Sequence, residues 1–100
     1  MNRVMVTYKV KTDKVAENES LVRAVYEELR QINNPDMHYA TFKLEDGQTF
    51  VHIASFDSQE GREALSTCNA FKEFQKDIKE RCEVPPNPQP LSQVGSFNFA

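Results

Sequence analysis

The sequence has no tryptophan and, in 100 residues, only three glycines, two cysteines and two histidines. No apolar run is long enough to span a bilayer, and the first ten residues alternate polar and apolar side chains, unlike the apolar core of a signal peptide. We therefore expect a soluble cytoplasmic protein with no membrane partner. Two histidines without a Cys-x-x-Cys pair supply too few ligands for a dedicated metal site.

Basic runs and apolar residues are also scarce. The net charge is −3, so the positive surface expected of a protein that binds nucleic acid or anionic membranes is missing. The residues Ala, Val, Ile, Leu, Met, Phe, Trp, Tyr and Cys make up 39% of the chain, and the share is the same when Gly is counted in place of Tyr, because there are three of each. This share is below the roughly 45–50% of average domains. A chain of this length buries only about 60–65% of its unfolded surface. We expect one domain over residues 1–100 with a modest core.

The strongest local signal is a β-hairpin from His38 to Phe56, centred on Asp46-Gly47. Both flanking runs are rich in β-branched and aromatic residues, and Asp-Gly is typical of a two-residue type I′ turn. Such a turn places Phe42 opposite Val51. One face then carries His38, Ala40, Phe42, Leu44, Thr49, Val51, Ile53 and Ser55, and the other carries Tyr39, Thr41, Lys43, Glu45, Gln48, Phe50, His52, Ala54 and Phe56. Both faces keep large apolar groups, so both need to be covered.

Two elements precede the hairpin. Alternation of apolar and polar residues predicts a strand from Arg3 to Lys11. An apolar stripe that starts at Leu21 predicts a helix, with Thr12 or Asp13 as its cap. The helix is expected to stop at Asn33-Asn34-Pro35 because a residue before proline disfavours helical backbone.

The part after the hairpin predicts helices and a final strand. Asp57 stands three residues before Glu60, the spacing of a capping box, and begins a short helix. A longer helix follows a break at 66–69, and four prolines from Pro85 to Pro90 end it as a stiff connector. Residues 94–99 are expected to form the last strand. The buried stripe of the longer helix comprises Phe71, Phe74, Ile78 and Cys82.

The element order is strand, helix, strand, strand, helix, strand. This order is that of the α+β ferredoxin-like fold, a four-stranded antiparallel sheet with its helices on one face. The helices leave the opposite face uncovered, and a second copy of the chain would bury it. We therefore expect a homodimer.

Four segments, TYKVKTDK, DGQTFVHIASF, CNAFKEFQKDI and VGSFNF, resemble small members of the dimeric α/β barrel superfamily, above all antibiotic biosynthesis monooxygenase-like proteins. The resemblance implies that two ferredoxin-like protomers form a barrel and that ligands lie between sheet and helices. It also implies a cofactor-independent monooxygenase that acts on a small aromatic or quinol-like substrate.

The haem-degrading branch of this superfamily has an Asn on the first strand, a Trp at the start of the second helical stretch and a His ten residues later. The first strand here has no Asn between Val4 and Val10, and Leu65 and Gln75 stand where the Trp and His would be. The resemblance therefore implies no haem, and we expect no cofactor.

His52 is the candidate catalytic residue. It lies in mid-strand, where a group that titrates near neutral pH could act as acid, base or ligand, although it also fits a core histidine bonded to a neighbour. The candidate ligand-pocket residues are Tyr8, Tyr39, Phe50, Asn69 and Phe74. The aromatic residues fit plain core equally well, and Asn69 fits a helix cap. Cys68 and Cys82, about 20 Å apart on the predicted helix, are too distant for a disulfide.

Two hypotheses follow. In the first, His52 is base or hydrogen-bond partner and Tyr39 orients the substrate of a monooxygenase. In the second, the chain is a non-catalytic dimeric ligand-binding or stress-related protein whose interior is filled by its own side chains. A cavity of about 300 Å³ or more beside His52 favours the first, and a filled interior favours the second.

Overall fold

The computed structural model describes residues 2–99, so Met1 and Ala100, the ends of the expected domain, lie outside the described residues. The elements are β1 (Asn2–Val10), α1 (Val15–Ile32), β2 (Met37–Lys43), β3 (Thr49–Phe56), α2 (Gln59–Ser66), α3 (Asn69–Gln75), α4 (Ile78–Arg81) and β4 (Cys82–Leu91). The strands form one antiparallel sheet in the order β2-β3-β1-β4. This arrangement confirms the α+β ferredoxin-like fold.

The hairpin has the predicted register but a different turn. Phe42 pairs with Val51, as expected. The Gly47 N–H donates to the Leu44 carbonyl, and only Gly47 in this loop has a positive φ, of 73°. The two-residue type I′ turn at Asp46-Gly47 is therefore wrong. Asp46 acts through its carboxylate, which accepts hydrogen bonds from the Gln48 and Thr49 backbones and holds a wider loop closed.

The first helix ends as predicted but begins later. Asn33 adopts the left-handed conformation, and its N–H donates to the Leu29 carbonyl at 2.8 Å. Neither Thr12 nor Asp13 caps α1, because both lie in a short 3₁₀ turn that precedes it. The turn leads directly into Val15, so no side chain caps the helix.

The cap of α2 is Ser58 rather than Asp57. The Ser58 hydroxyl accepts from the Gly61 N–H at 3.1 Å and donates to the Asp36 carboxylate at 2.7 Å. The cap thus ties α2 to the start of β2. The expected break follows, since α2 ends at Ser66 and α3 begins at Asn69.

The long helix predicted through Cys82 is wrong. Asp77 has a φ of 60°, which separates α3 from the single turn of α4, and Cys82 already belongs to β4. The estimate of the distance between the cysteines therefore has no basis in the structure. Both thiols are nonetheless free and buried.

The proline-rich segment is a strand rather than a connector, and the last strand is β4 instead of residues 94–99. Pro88 and Pro90 lie two residues apart opposite Val6 and Val4, so both nitrogens point to the same side of β4. An edge strand tolerates this because its outer side needs no hydrogen bonds. The adjacent Pro85-Pro86 lies at the first of two register shifts in the β1–β4 pairing, where two residues of β4 stand opposite one residue of β1.

The two sheet faces differ in burial. The helix-facing side holds the core, in which α1 and α3 pack on the strands, and its fully or nearly buried members include Tyr8, Val10, Val22, Val25, Leu29, Phe50, Ala54, Phe56 and Phe74. On the other face, which we call the open face, Phe42 is 53% exposed. The chain after β4 has no regular structure as far as Phe99, and Val94, Phe97 and Phe99 are exposed. Within residues 2–99, no helix is long and apolar enough to cross a membrane.

Candidate functional site

A cavity of about 370 Å³ lies between the sheet and the second helical region. The strands contribute Val4, Val6, Ala54, Phe56 and Pro86 to its wall, and the helices contribute Leu65, Phe71, Phe74 and Ile78. Its polar lining consists of Tyr8, Tyr39, His52, Gln75 and Lys79. The volume exceeds the threshold of about 300 Å³ that favours a ligand chamber over a filled interior.

His52 lies at the inner end of this cavity between two tyrosine hydroxyls. Its Nε2 is 2.7 Å from the Tyr8 oxygen, and its Nδ1 is 2.5 Å from the Tyr39 oxygen. The alternating pattern of β3 points His52 toward the helices, where only 4% of the residue is exposed. Both ring nitrogens are therefore engaged before any ligand enters.

The hydrogen bonds continue beyond the tyrosines in both directions. On one side, the Asn18 amide donates to the Tyr8 oxygen at 2.9 Å, and the Arg81 guanidinium donates to Asn18 at 3.4 Å. On the other side, the Thr41 hydroxyl lies 3.2 Å from His52 Nδ1 and 2.7 Å from the Tyr26 hydroxyl. The network fixes the rings and satisfies polar groups that burial would otherwise make costly.

A neutral imidazole has one N–H donor and one acceptor nitrogen, and this limits how the tyrosines can bond to it. If His52 carries its hydrogen on Nδ1, Tyr8 donates to Nε2 and Tyr39 accepts. If the hydrogen is on Nε2, Tyr39 donates to Nδ1 and Tyr8 accepts. In each case one tyrosine O–H is not used by His52. Because both hydroxyls line the cavity, that O–H can donate to a ligand oxygen.

Burial keeps the groups at the inner end uncharged. Loss of hydration lowers the pKa of His52 to about 4, so the imidazole is neutral at physiological pH. The same cause raises the pKa values of Tyr8 and Tyr39 well above their usual range. The inner end thus offers neutral donors and acceptors.

Arg81 is a buried cation next to this site, with 4% of the residue exposed. Its guanidinium donates to the carbonyl of Phe74 at 2.6 Å and to that of Lys76 at 3.0 Å, at the C-terminal end of α3. This position is favourable for a cation because a helix end presents negative carbonyls. The guanidinium also lies 5.5 Å from the centre of the Phe74 ring, which lines the cavity.

The structure brings together four of the six predicted site residues. Tyr8, Tyr39, His52 and Phe74 line the cavity. The other two predicted residues, Phe50 and Asn69, do not line this cavity. Phe50 stacks on Tyr8 at 5.6 Å between ring centres and is 2% exposed, so it belongs to the core.

Asn69 is exposed at the start of α3, away from the cavity. It does not act as the cap either, because the capping acceptor comes from another helix. The Glu28 carboxylate accepts from the backbone N–H groups of Asn69 and Ala70, each at 2.9 Å. These bonds explain why the pKa of Glu28 lies below its ordinary value.

Asn18 is the functional candidate that the sequence reasoning missed. It is fully buried and joins Tyr8 to Arg81. The signal was present, because Asn18 precedes the buried Val22 by four residues and Val25 by seven, on the same helical stripe. A polar residue on an apolar stripe needs a buried partner, and Tyr8 provides it.

No group of three or more His, Cys, Asp or Glu side chains among residues 2–99 is arranged to hold a metal ion. The polar lining of the cavity contains one imidazole, two phenols, one amide and one amine, and no carboxylate or thiol.

Comparison with known proteins shows similarity in structure only. No protein-family model matches the sequence, and no curated protein is significantly similar to it. A solved structure of an antibiotic biosynthesis monooxygenase superposes with a TM-score of 0.76 at 18% identity, over 95% of this chain and all of the other. A mutant of SnoaB, a cofactor-independent oxygenase from Streptomyces nogalater, gives 0.68 at 17% identity, over 98% and 97% of the two chains.

Similar folds also occur in proteins whose names state no activity. A conserved protein from Methanosarcina mazei Go1 gives a TM-score of 0.71 at 17% identity, over 90% of this chain and 89% of the other. The chain therefore has the fold of antibiotic biosynthesis monooxygenase-like proteins, as the resemblance implied, and identities this low support the fold alone.

Proposed function

We propose that this chain is a cofactor-independent monooxygenase that oxidises a small aromatic or quinol-like substrate to a quinone. The observation that carries the proposal is the apolar cavity of about 370 Å³ that ends at His52 and two tyrosine hydroxyls. Apolar walls suit a flat aromatic body, and a few polar groups at one end suit its hydroxyl. The oxygenase with the same fold supports the proposal.

The reaction balances without a reductant. A phenol with a free para position reacts with O₂ so that the ring C–H becomes C=O with one oxygen atom. The second oxygen atom leaves as water with the ring hydrogen and the phenolic hydrogen. The substrate loses four electrons, and O₂ accepts all four. The chain must only bind the substrate, exclude bulk water and receive the phenolic proton.

His52 is the proposed acceptor of that proton, and Tyr39 orients the substrate hydroxyl beside it. Transfer from a phenol with pKa near 10 to an imidazole with pKa about 4 is uphill by about 8 kcal/mol. A barrier of about 15 kcal/mol corresponds to roughly 100 turnovers per second, so this cost is affordable within the reaction. The proton reaches His52 through the tyrosine whose O–H donates to the unprotonated ring nitrogen, because that hydroxyl can pass its hydrogen to His52 as it takes one from the substrate.

The second candidate is a non-catalytic ligand-binding protein. It is favoured by the low pKa of His52 and by the tyrosine bond on each ring nitrogen, because a general base works best with a pKa near the operating pH. In this case the same groups would recognise a hydroxyl or carbonyl without transferring a proton.

A single set of assays separates the two candidates. The purified protein is incubated with phenols and quinols of one to three rings, 1-naphthol among them, while oxygen uptake and quinone absorbance are recorded. Under ¹⁸O₂, the monooxygenase must place one labelled atom in each quinone molecule that forms from a phenol such as 1-naphthol, because a quinol already holds both quinone oxygens. Binding of a probe without oxygen uptake would reject the oxygenase and support the binding protein.

Variants assign the roles. Tyr39→Phe removes a hydroxyl that lies 2.5 Å from His52, and we expect turnover to fall about tenfold to a hundredfold. Thr67→Ala is the control, because it removes an exposed hydroxyl that donates to the Glu63 carbonyl and does not line the cavity. Equal losses in the two variants would contradict the role of Tyr39.

We further propose a homodimer in which the two protomers pack against each other through their open faces. Phe42 is 53% exposed there, and the hydroxyl of Ser55 on the same face is buried without a hydrogen-bond partner among residues 2–99. Another copy of the chain would cover Phe42 and could offer the Ser55 hydroxyl a hydrogen-bond partner. A cytoplasmic location, also proposed, agrees with two unpaired thiols and is testable by cell fractionation.

A further inference from the structure

The charge around the cavity is one-sided. Among residues 2–99, Lys79 is the only charged side chain that lines the cavity, and it is exposed at the mouth together with Gln75. Among the described residues, Lys9, Lys14 and Lys43 form ion pairs with glutamates, whereas no carboxylate pairs with Lys79. The mouth therefore presents an ammonium group without a counter-charge.

Arg81 adds a second positive charge behind the wall. Its guanidinium faces the ring of Phe74 at 5.5 Å, and its hydrogen-bond acceptors are two carbonyls and one amide, all uncharged. The chain as a whole carries a net charge of −3, so a positive cavity is not a consequence of composition. Low-dielectric walls strengthen the field of such charges inside a cleft.

The inner end has the opposite character. Tyr8, Tyr39 and His52 are neutral at physiological pH and supply hydrogen bonds without charge. Between the two ends the wall is aromatic and aliphatic. A ligand that fits every part carries a hydroxyl at one end, an aromatic body, and an anionic group at the other end.

We infer that the cavity selects a hydroxylated aromatic carboxylic acid, with its hydroxyl at Tyr8 and Tyr39 and its carboxylate at Lys79. Gln75 donates a hydrogen bond to the same carboxylate. This inference rests on the proposed function, because it names the substrate class of that cavity. Lys79 is thus a residue that determines specificity and takes no part in proton transfer.

Matched probes test the inference. 6-Hydroxy-2-naphthoic acid and its primary amide differ in charge but hardly in shape, and the absence of tryptophan leaves a low protein background for probe fluorescence. We expect the acid to bind about fivefold more tightly than the amide at low salt, the upper range for a solvent-exposed ion pair. Added salt should weaken binding of the acid and leave the amide unchanged.

Two substitutions with the same change in net charge locate the effect. Lys79→Met should reduce the preference for the acid to about one while the affinity for the amide stays within about twofold. Lys76→Met is the control, because Lys76 is exposed nearby and does not line the cavity, and it should retain the preference. Circular dichroism confirms that both variants fold.

Equal binding of acid and amide by the unmodified protein, or binding of neither, would overturn the inference. A preference that survives Lys79→Met would overturn the assignment to Lys79. Oxygen uptake with 1-naphthol tests the proposed function separately, because the carbon para to the hydroxyl of 6-hydroxy-2-naphthoic acid is a ring-fusion carbon and cannot become a carbonyl. A preference for the acid, combined with no oxygen uptake in the presence of 1-naphthol, rejects the oxygenase and leaves the specificity intact. Oxygen uptake with neutral phenols, combined with equal binding of acid and amide, supports the oxygenase and rejects the specificity for an acid.

Discussion

His52 shows how one buried side chain links stability to chemistry. The loss of hydration that lowers its pKa to about 4 also makes it a weak base, and the two tyrosine hydroxyls hold it in a single orientation. A group arranged in this way stabilises the fold only while it stays neutral. The pH dependence of stability therefore reports directly on its burial.

We predict that the protein loses stability as His52 in the unfolded chain becomes protonated. The unfolded histidine takes up a proton below about pH 6.5, whereas the folded one does so only near pH 4. Stability is therefore complete above pH 6.5 and falls on acidification, by about 2 kcal/mol between pH 7.5 and pH 5. Urea unfolding at these two pH values measures the loss.

His52→Gln is the control for this prediction, because glutamine does not titrate and its loss over the same interval should be much smaller. The carboxylates with lowered pKa values, Glu19, Glu28 and Asp46, become protonated below this window and do not contribute to it. An equal slope in both proteins would show that His52 is not the group responsible.

At the scale of elements, the joint between α2 and β2 depends on the absence of a side chain at Gly61. A Cβ there would lie 2.6 Å from the carbonyl oxygen of Asp36. The same Asp36 carbonyl accepts a hydrogen bond from the Asp57 N–H at 2.8 Å. The side-chain carboxylate of Asp36 accepts another from the Ser58 hydroxyl. The backbone therefore cannot retreat from the helix without losing these hydrogen bonds.

We predict that Gly61→Ala lowers the free energy of unfolding by about 2 kcal/mol, although alanine is the better helix former. Gly95→Ala is the matched control, because nothing lies within 4 Å of a Cβ at Gly95. Thermal or urea unfolding compares the two variants. A Gly61→Ala protein as stable as the Gly95→Ala protein would mean that the α2–β2 joint can shift.

At the scale of the whole molecule, large exposed apolar side chains lie on the open face and in the chain after β4. Val94 is 102% exposed, Phe97 87% and Phe99 69%, and Phe99 lies beside Phe42 and Ile53 of the open face. The expected final strand would have brought these residues to a sheet edge, but β4 already occupies that edge. Their apolar surface is left for a partner to cover.

We predict a homodimer that buries more than about 1,200 Å² in total, the range of specific interfaces. Phe42→Lys should dissociate it at micromolar concentration without unfolding the protomer, and deletion of residues 95–100 should cause dissociation or aggregation. Ile32→Lys is the control, because Ile32 is an exposed apolar residue at the end of α1, away from the open face. A well-folded full-length monomer in light scattering would contradict the dimer.

Local patterns in the sequence determined much of this protein. The two-residue period of the hairpin was enough to pair Phe42 with Val51 and to place His52 and Tyr39 on one face, because a shift by one residue would expose every buried side chain. The order of strands and helices along the chain was enough to predict the ferredoxin-like fold. These features depend on neighbours along the chain or directly across a turn.

Tertiary structure alone decided the rest. From the sequence, the prolines after Cys82 were predicted to form a connector. In the structure this segment pairs with β1 along one side, and its proline nitrogens lie on the unpaired edge. The Asn18–Tyr8–His52 contacts join residues that are 10 and 44 positions apart, and no local pattern specifies which buried donor meets which acceptor. Phe50 and Asn69 do not line the cavity as predicted, because packing, rather than residue type, determines which side chains border a cavity.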